Sequence, residues 1–236
     1  MRLNDETEVH QEVSVVIPAF NEETSIFELV RGFAEIRNDL SIDVLVIDGH
    51  STDRTIEMAE KAGARVMVQT SLGKGMAMIE AVERTVQAGV CLFIDGDGTY
   101  LPSEFERIAR PVLSGDADMV VGSRINGQME KGAISPLNRI GNALCNMVVK
   151  IFFGKPITDV LSGYRAINTQ AFRELELKGQ HFEIEAEMTA KGLSKGLRIA
   201  EVPITYRRRR GESTKLRPFR DGLLIFGALV RGVLEK

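Results

Sequence analysis

From Val13 onward, short runs of consecutive apolar residues alternate with longer stretches in which apolar positions recur every three or four residues. Residues 13–17, 44–47, 65–68, 90–94 and 119–121 are largely β-branched or apolar and too short for helices, so they predict strands, most of them buried on both faces. Residues 23–37, 52–62, 74–88 and 103–113 predict helices, the last opened by Ser103 and Glu106 as an S-x-x-E capping box behind Pro102. This spacing is that of an α/β fold whose crossover helices connect parallel strands.

Past Gly122 the regularity fades. Residues 127–136 are rich in turn formers and predict a loop, while 137–153 are apolar with interspersed Asn, Arg and Lys and predict a surface-seeking helix. A strand over 164–167, a helix over 184–194 and a strand over 199–206 follow, the last interrupted by Pro203 and therefore expected at a sheet edge. The tail over 221–234 carries Leu223, Leu224, Ile225, Phe226, Leu229 and Val230, but no stretch reaches the roughly 18–20 apolar residues that cross a bilayer. Any membrane contact is expected to be interfacial or made through a partner. The expected division is one catalytic-size domain over 1–217 and an amphipathic helical tail over 218–236.

Composition narrows the class. With 236 residues, 44% hydrophobic and 27% charged, the chain has room for one large domain with an appendage or two small ones, and disorder is not expected. Cys91 and Cys145 stand far apart and His10, His50 and His181 are scattered, so neither a zinc site nor a disulfide framework is expected. The start, MRLNDETEVH, lacks the apolar core of a signal peptide, and a cytosolic protein is expected. The net charge of −3 hides an asymmetry: residues 1–118 hold 10 Lys/Arg against 22 Asp/Glu, whereas 119–236 hold 20 against 11. Acidic loops suited to a divalent cation in the first half and basic groups suited to phosphate in the second would account for it; chance clustering on solvated faces is the plainer alternative.

The strongest chemical signal is Cys91-Leu92-Phe93-Ile94-Asp95-Gly96-Asp97-Gly98-Thr99, an apolar strand ending in two carboxylates one residue apart. At the C-terminal edge of a parallel sheet such a pair suits a hard cation with open positions for diphosphate oxygens; a bare Asp-Gly turn is the competing reading. An EF-hand is disfavoured because Tyr100 stands where that loop needs glycine. Two more strand ends deliver polar groups to the same edge: Pro18-Ala19-Phe20-Asn21-Glu22-Glu23, and Asp48-Gly49-His50-Ser51-Thr52-Asp53-Arg54-Thr55, the outline of a nucleoside pocket in which Thr52 and Asp53 also suit helix capping. Gly73-Lys74-Gly75 opens a helix; it is neither a Walker A loop nor a dinucleotide fingerprint, but its lysine could approach a phosphate or ribose, or simply be solvated.

Taken in order, these four segments resemble the nucleotide-sugar half of glycosyltransferase family 2, which has the GT-A fold. The downstream segments Gly122-Ser123-Arg124, Leu161-Ser162-Gly163-Tyr164-Arg165, Phe182-Glu183-Ile184-Glu185, Val202-Pro203-Ile204 and Gly211-Glu212-Ser213-Thr214-Lys215-Leu216 resemble its polyprenyl-phosphate branch, that of the dolichyl-phosphate mannose and glucose synthases. The resemblance covers about residues 13–220. It departs at Asp48-Gly49, where the family often has Asp-Asp, at Asp95-Gly96-Asp97, commonly Asp-Ala-Asp, and at Ser213-Thr214-Lys215, one residue longer than the usual Ser-Lys pair.

The resemblance implies a GT-A sheet, mostly parallel and flanked by helices. It implies an inverting, metal-dependent hexosyl- or N-acetylhexosaminyltransferase moving a sugar from a UDP- or GDP-linked donor to a polyprenyl or dolichyl phosphate, as in protein glycosylation. Magnesium or manganese would sit on Asp97 with Asp95 assisting. The donor would meet Pro18, Asn21, Glu22, Asp48, Ser51, Asp53, Lys74, Asp95 and Gly96. The acceptor phosphate would meet Arg124, Ser162, Arg165, Arg208, Ser213 and Lys215, with Arg208 the leading choice from the 207–210 run and the catalytic set read as Asp97, Arg124, Arg165 and Arg208. Because the acceptor is already anionic no general base is needed, which leaves Glu183 and Glu185 to shape the acceptor site or cap a helix. The implied partners are the two substrates and a membrane surface or membrane-anchored protein at its cytoplasmic face, not nucleic acid. A sugar-phosphate nucleotidyltransferase, a glycosyltransferase with another acceptor and a non-catalytic membrane-surface module are the alternatives.

Overall fold

A computed structural model describes residues 12–36, 39–209, 215 and 217–235, with backbone only for residues 218 and 219. Seven strands, β1 (Glu12–Ala19), β2 (Ser41–Asp48), β3 (Arg65–Val68), β4 (Val90–Phe93), β5 (Met119–Met129), β6 (Arg165–Asn168) and β7 (Ile199–Tyr206), form one sheet in the order β3-β2-β1-β4-β6-β5-β7. β1, β2, β3 and β4 pair in parallel, as do β5 and β7, while β6 runs antiparallel to both of its neighbours, β4 and β5. All four N-terminal strands therefore deliver their C-terminal ends to one edge. β7 is an outer strand, where Pro203 withholds no needed donor.

The pleat divides the core in two. Val13, Val15 and Ile17 of β1 face one side and pack with α1 (Ile26–Ala34), α2 (Thr55–Lys61) and α4 (Phe105–Leu113) through Leu29, Phe33, Ala59 and Ile108. Val16, Leu45, Ile47 and Phe93 face the other and pack with α3 (Lys74–Arg84), α6 (Thr169–Glu174) and α7 (Ile184–Ser194) through Met78, Phe172 and Met188. A third cluster joins α7 to α5 (Pro136–Phe153) and α8 (Pro218–Leu234) through Cys145, Val149, Ala190, Ile225 and Leu229. α7 is thus covered on all sides, and Ile184 through Gly192 are buried, charged residues included.

Several elements differ from the sequence expectation for local reasons. α1 and α2 start later, because residues 20–23 and 49–55 are spent on tying the two loops together (below). α3 stops at Arg84, where the Thr85 hydroxyl donates to Ala81 O at 2.8 Å and Val86 N shares that carbonyl. Ser103 and Glu106 do not form a capping box: Pro102–Glu104 is a separate 3-10 turn, and α4 starts behind it with no side-chain cap. β5 continues to Met129, through residues read as a loop, since it keeps pairing with β7 beyond a bulge between Ser123 and Gln128. Gly127 makes this possible, as a Cβ there would lie 1.8 Å from Ile204 O.

Candidate active site

The C-terminal ends of β1, β2 and β4 open onto a cavity of about 400 Å³ closed on its other sides by α3, α7, β5 and the chain following β7. Of the residues expected at the site, Pro18, Glu22, Lys74, Asp95, Gly96, Asp97, Arg124 and Lys215 line it.

The loops after β1 and β2 are bound to each other rather than to the cavity. Asn21, at a left-handed φ of 51°, donates its N–H to Ser51 Oγ at 2.9 Å and accepts from Thr52 N at 2.8 Å. Glu23 N donates to Asp53 Oδ2 at 3.2 Å, and Thr55 donates both N–H (2.9 Å) and hydroxyl (2.5 Å) to Asp53 Oδ1. Asn21, Ser51 and Asp53, expected as donor contacts, are not in the cavity lining; their side-chain oxygens accept backbone N–H groups and cross-tie the two loops. Asp48 is fully buried behind them: Oδ2 accepts from Ser51 N at 2.8 Å, while Oδ1 has no partner among the described residues.

Asp95 and Asp97 differ in setting. Thr99 donates its N–H (3.1 Å) and hydroxyl (2.6 Å) to Asp97 Oδ1, leaving Oδ2 toward Arg209 Nη1 at 3.3 Å. Burial and then the neighbouring Asp95 charge raise the Asp97 pKa, so this carboxylate gains from a cation beside it. Asp95 Oδ1 sits 2.5 Å from Lys74 Nζ, which lies equally close to Glu185 Oε1. Burial works to lower the Lys74 pKa, but these two carboxylates outweigh it and the ammonium stays charged. Gly163 allows the arrangement, because a Cβ there would stand 2.6 Å from Asp95 Oδ2.

The backbone at the start of α3 is not available to a phosphate. Gly75 N and Met76 N both point at Gln180 O, at 2.9 and 3.3 Å, and a Cβ on Gly75 would lie 2.1 Å from Gly179 O. Lys74 therefore reaches the cavity by its side chain alone.

A second cation group faces Lys74. Arg209 bridges Asp97 and Glu22, and Lys215 Nζ reaches Glu22 Oε1 at 2.8 Å and the carbonyls of Phe20 and Asn21. Burial, only partly offset by Lys215 and Arg209, raises the Glu22 pKa. Arg124 completes the wall, its guanidinium 5.1 Å above the Tyr206 ring and forked onto Asp159.

Three expected phosphate ligands are elsewhere. Arg165 has no solvent exposure; it donates to Ser162 O (3.0 and 2.6 Å), Val160 O (3.0 Å), Glu185 O (3.0 Å) and Thr189 Oγ1 (3.2 Å), so every arm of the guanidinium braces buried chain. Ser162 is likewise fully buried and outside the lining, its Oγ unpartnered among the described residues. Arg208 is exposed and away from the cavity, with its backbone N–H on Glu130 Oε2; among the described residues of the run, 207–209, Arg209 is the one that enters. β7 ends at Tyr206, where an isolated bridge to Tyr100 and the bond from Arg207 N to Thr99 O turn the chain, so strand alternation does not carry into the arginines. Ser213 lies outside the described residues. Glu185, Gln69, Phe182 and Asn138 also line the cavity; Glu185 is one of the two glutamates expected to shape the acceptor site or cap a helix, but no pattern in the sequence marks Gln69.

Among the described residues no three His, Cys, Asp or Glu side chains cluster as a metal cage. Two carboxylates with adjoining cations are instead a donor set that leaves most positions to substrate oxygens and water, as magnesium and manganese prefer.

Residues 14–176 match the family model described as Glycosyl transferase family 2. The chain belongs to glycosyltransferase family 2. Its relatives include Glycosyltransferase AglJ of Haloferax volcanii, 40% identical over 220 residues that cover 93% of this chain and 71% of the relative. The Dolichyl-phosphate hexose transferase of the same organism is 34% identical over 227 residues, 95% of each chain. The GT-A fold of the family is seen in glucosyl-3-phosphoglycerate synthase from Mycobacterium tuberculosis, crystallised with Mn2+, uridine diphosphate and phosphoglyceric acid, with a TM-score of 0.75 and 20% identity over 94% of this chain and 78% of that one. As a family 2 member the chain is a sugar-transferring enzyme.

Proposed function

We propose that the chain is an inverting, metal-dependent transferase that moves a sugar from a nucleoside diphosphate donor to a polyprenyl phosphate at a cytoplasmic membrane face. The observation that carries this reading is the charge layout of one cavity: Asp95 and Asp97 at its floor, ringed by Lys74, Arg124, Arg209 and Lys215. Two carboxylates answer one divalent cation, and four cations answer the phosphates of two substrates. The dolichyl-phosphate relative agrees with the acceptor class.

Each group then has a task. Asp97, steadied by Thr99, and Asp95, steadied by Lys74, would hold magnesium or manganese, whose chemistry is to neutralise the diphosphate as it leaves. Arg209 and Lys215 exchange their carboxylate partners for donor phosphate oxygens as these arrive, while Lys74 keeps Asp95 and Glu185 and offers its third N–H. The base enters between the ends of β1 and β2, where Phe20 offers a ring face and Gln69 a carboxamide. Arg124 receives the acceptor phosphate, and that oxygen attacks the anomeric carbon from the face opposite the leaving group without giving up a proton. α5 and α8 account for the rest of the acceptor: Leu137, Ile140, Leu144, Met147 and Ile151 form an exposed apolar stripe along α5, which carries Arg139 and Lys150 and no acidic residue, and Leu223, Phe226 and Val230 are exposed on α8. Such a surface suits the interface of an anionic bilayer. No helix among the described residues is long and apolar enough to cross a membrane.

The test is product analysis. The full chain is incubated with manganese or magnesium, a polyprenyl phosphate, and UDP-glucose, UDP-N-acetylglucosamine or GDP-mannose in turn. A lipid-extractable sugar with release of the nucleoside diphosphate is expected; pyrophosphate release from a nucleoside triphosphate, or no lipid product from any donor, contradicts the proposal.

A further inference from the structure

Arg124 is held in place by one carboxylate that never reaches the cavity. Asp159 is fully buried, and it accepts from Arg124 N at 2.8 Å, Arg124 Nε at 2.8 Å and Arg124 Nη2 at 2.7 Å. One side chain thus fixes both the backbone of Arg124 and the plane of its guanidinium. The opposite edge, Nη1 with the remaining Nη2 hydrogen, has no protein partner among the described residues, and that arginine lines the cavity over the Tyr206 ring. A planar fork anchored on one edge and free on the other presents two parallel donors in the geometry that phosphate oxygens match.

Asp159 is itself anchored from two further elements. Asn142 of α5 donates to its Oδ1 at 2.9 Å, and its backbone N–H, with that of Thr158, is captured by Glu201 of β7 at 3.0 Å and 2.9–3.0 Å. Asn146, one turn beyond Asn142, donates to Thr158 O and accepts from Val160 N at 3.0 Å. A buried anion satisfied on this many sides is rigid, and it fixes its partner with it.

We propose that Asp159 is the positioning residue of the acceptor side, holding the free edge of Arg124 toward the incoming polyprenyl phosphate. This rests on the reading of Arg124 as the phosphate-binding group. Asp159 touches no substrate; it acts through Arg124, and it sets acceptor affinity while leaving donor affinity alone.

A double-mutant cycle on KM for geranyl phosphate, a short soluble acceptor, tests this with the full chain, metal and saturating nucleotide sugar. Arg124→Ala and Asp159→Asn are each expected to raise acceptor KM roughly tenfold or more, as loss or misplacement of a charge-assisted phosphate contact does. The KM for the nucleotide sugar should stay within about twofold, and Asp159→Asn should add less than about twofold in the Arg124→Ala background. Multiplying effects in the double variant, or an equal rise in donor KM, would overturn the inference and leave the reading of Arg124 intact. An unchanged acceptor KM in Arg124→Ala would instead overturn that reading and the inference with it. Should Asp159→Asn not fold, Asp159→Glu decides: it keeps the charge but displaces the fork by one methylene, so a similar rise is expected and a wild-type KM refutes the proposal.

Discussion

Replacing Arg165 by Met keeps the apolar stem and removes the guanidinium. If that group is a brace, the cost falls on stability. Three buried carbonyls lose donors: Val160 O, Ser162 O and Glu185 O. Glu185 O retains the Thr189 hydroxyl at 2.9 Å, which leaves two carbonyls bare. At about 1–3 kcal/mol for each buried polar group left unsatisfied, the gross loss is about 2–6 kcal/mol. Some is returned because a buried cation, whose pKa burial already pulls down, no longer has to be kept from water. A net loss of about 3 kcal/mol follows, or about 6–12 °C in unfolding midpoint for a domain of this size. Urea unfolding with an unchanged m-value measures the first and a thermal melt the second. Below the melt, the acceptor KM should be close to wild type. Stability within about 0.5 kcal/mol of wild type, together with an acceptor KM raised tenfold or more, would refute the brace and return Arg165 to the phosphate site.

Other perturbations separate neighbours that look alike in sequence. Arg209→Ala should lower kcat/KM roughly tenfold or more while Arg208→Ala stays within about twofold, because only Arg209 lies in the cavity; steady-state kinetics showing the reverse would contradict the assignment. Gly163→Ala places a methyl 2.6 Å from Asp95 Oδ2 and should reduce turnover at least tenfold with a near wild-type melt, so normal turnover would mean that Asp95 need not lie there. Burial pushes the Cys145 thiol up to about 11 and that of Cys91 higher still, so mass spectrometry should find iodoacetamide on neither at pH about 8 in the native protein and on both in urea. Rapid native labelling of Cys145 would mean that the contact between α5, α7 and α8 opens in solution.

How much of this is legible in the chain differs from residue to residue. The strands carrying Val13–Ile17, Val44–Ile47 and Val90–Phe93 are almost wholly apolar because helices cover both sides of the sheet, and so short an apolar run has few other uses. Asp95 and Asp97 were legible for the same reason, since two carboxylates directly after such a strand must emerge at its C-terminal edge. Arg165 was not: five donors suit three carbonyls as well as a phosphate, and only the fold of 160–162 around the guanidinium decides between them. Asn21, Ser51 and Asp53 were located correctly at the strand ends but their role was hidden, because ties between two loops thirty residues apart leave no local pattern. The Arg207–Arg210 run defeats periodicity because the strand ends just before it, and Asp159 is an ordinary aspartate until Arg124 is seen folded onto it.

The central claim, that Asp97 and its cavity perform metal-dependent sugar transfer to a polyprenyl phosphate, is tested most directly by one comparison. Transfer of a labelled sugar from nucleotide donor to polyprenyl phosphate is followed with saturating manganese for the wild-type chain and for Asp97→Asn, whose unfolding midpoints are measured alongside. The account predicts a fall of roughly a hundredfold or more, on the order of the several kcal/mol that charge neutralisation of a leaving diphosphate supplies, with the fold intact. Transfer by folded Asp97→Asn within about twofold of wild type would contradict it.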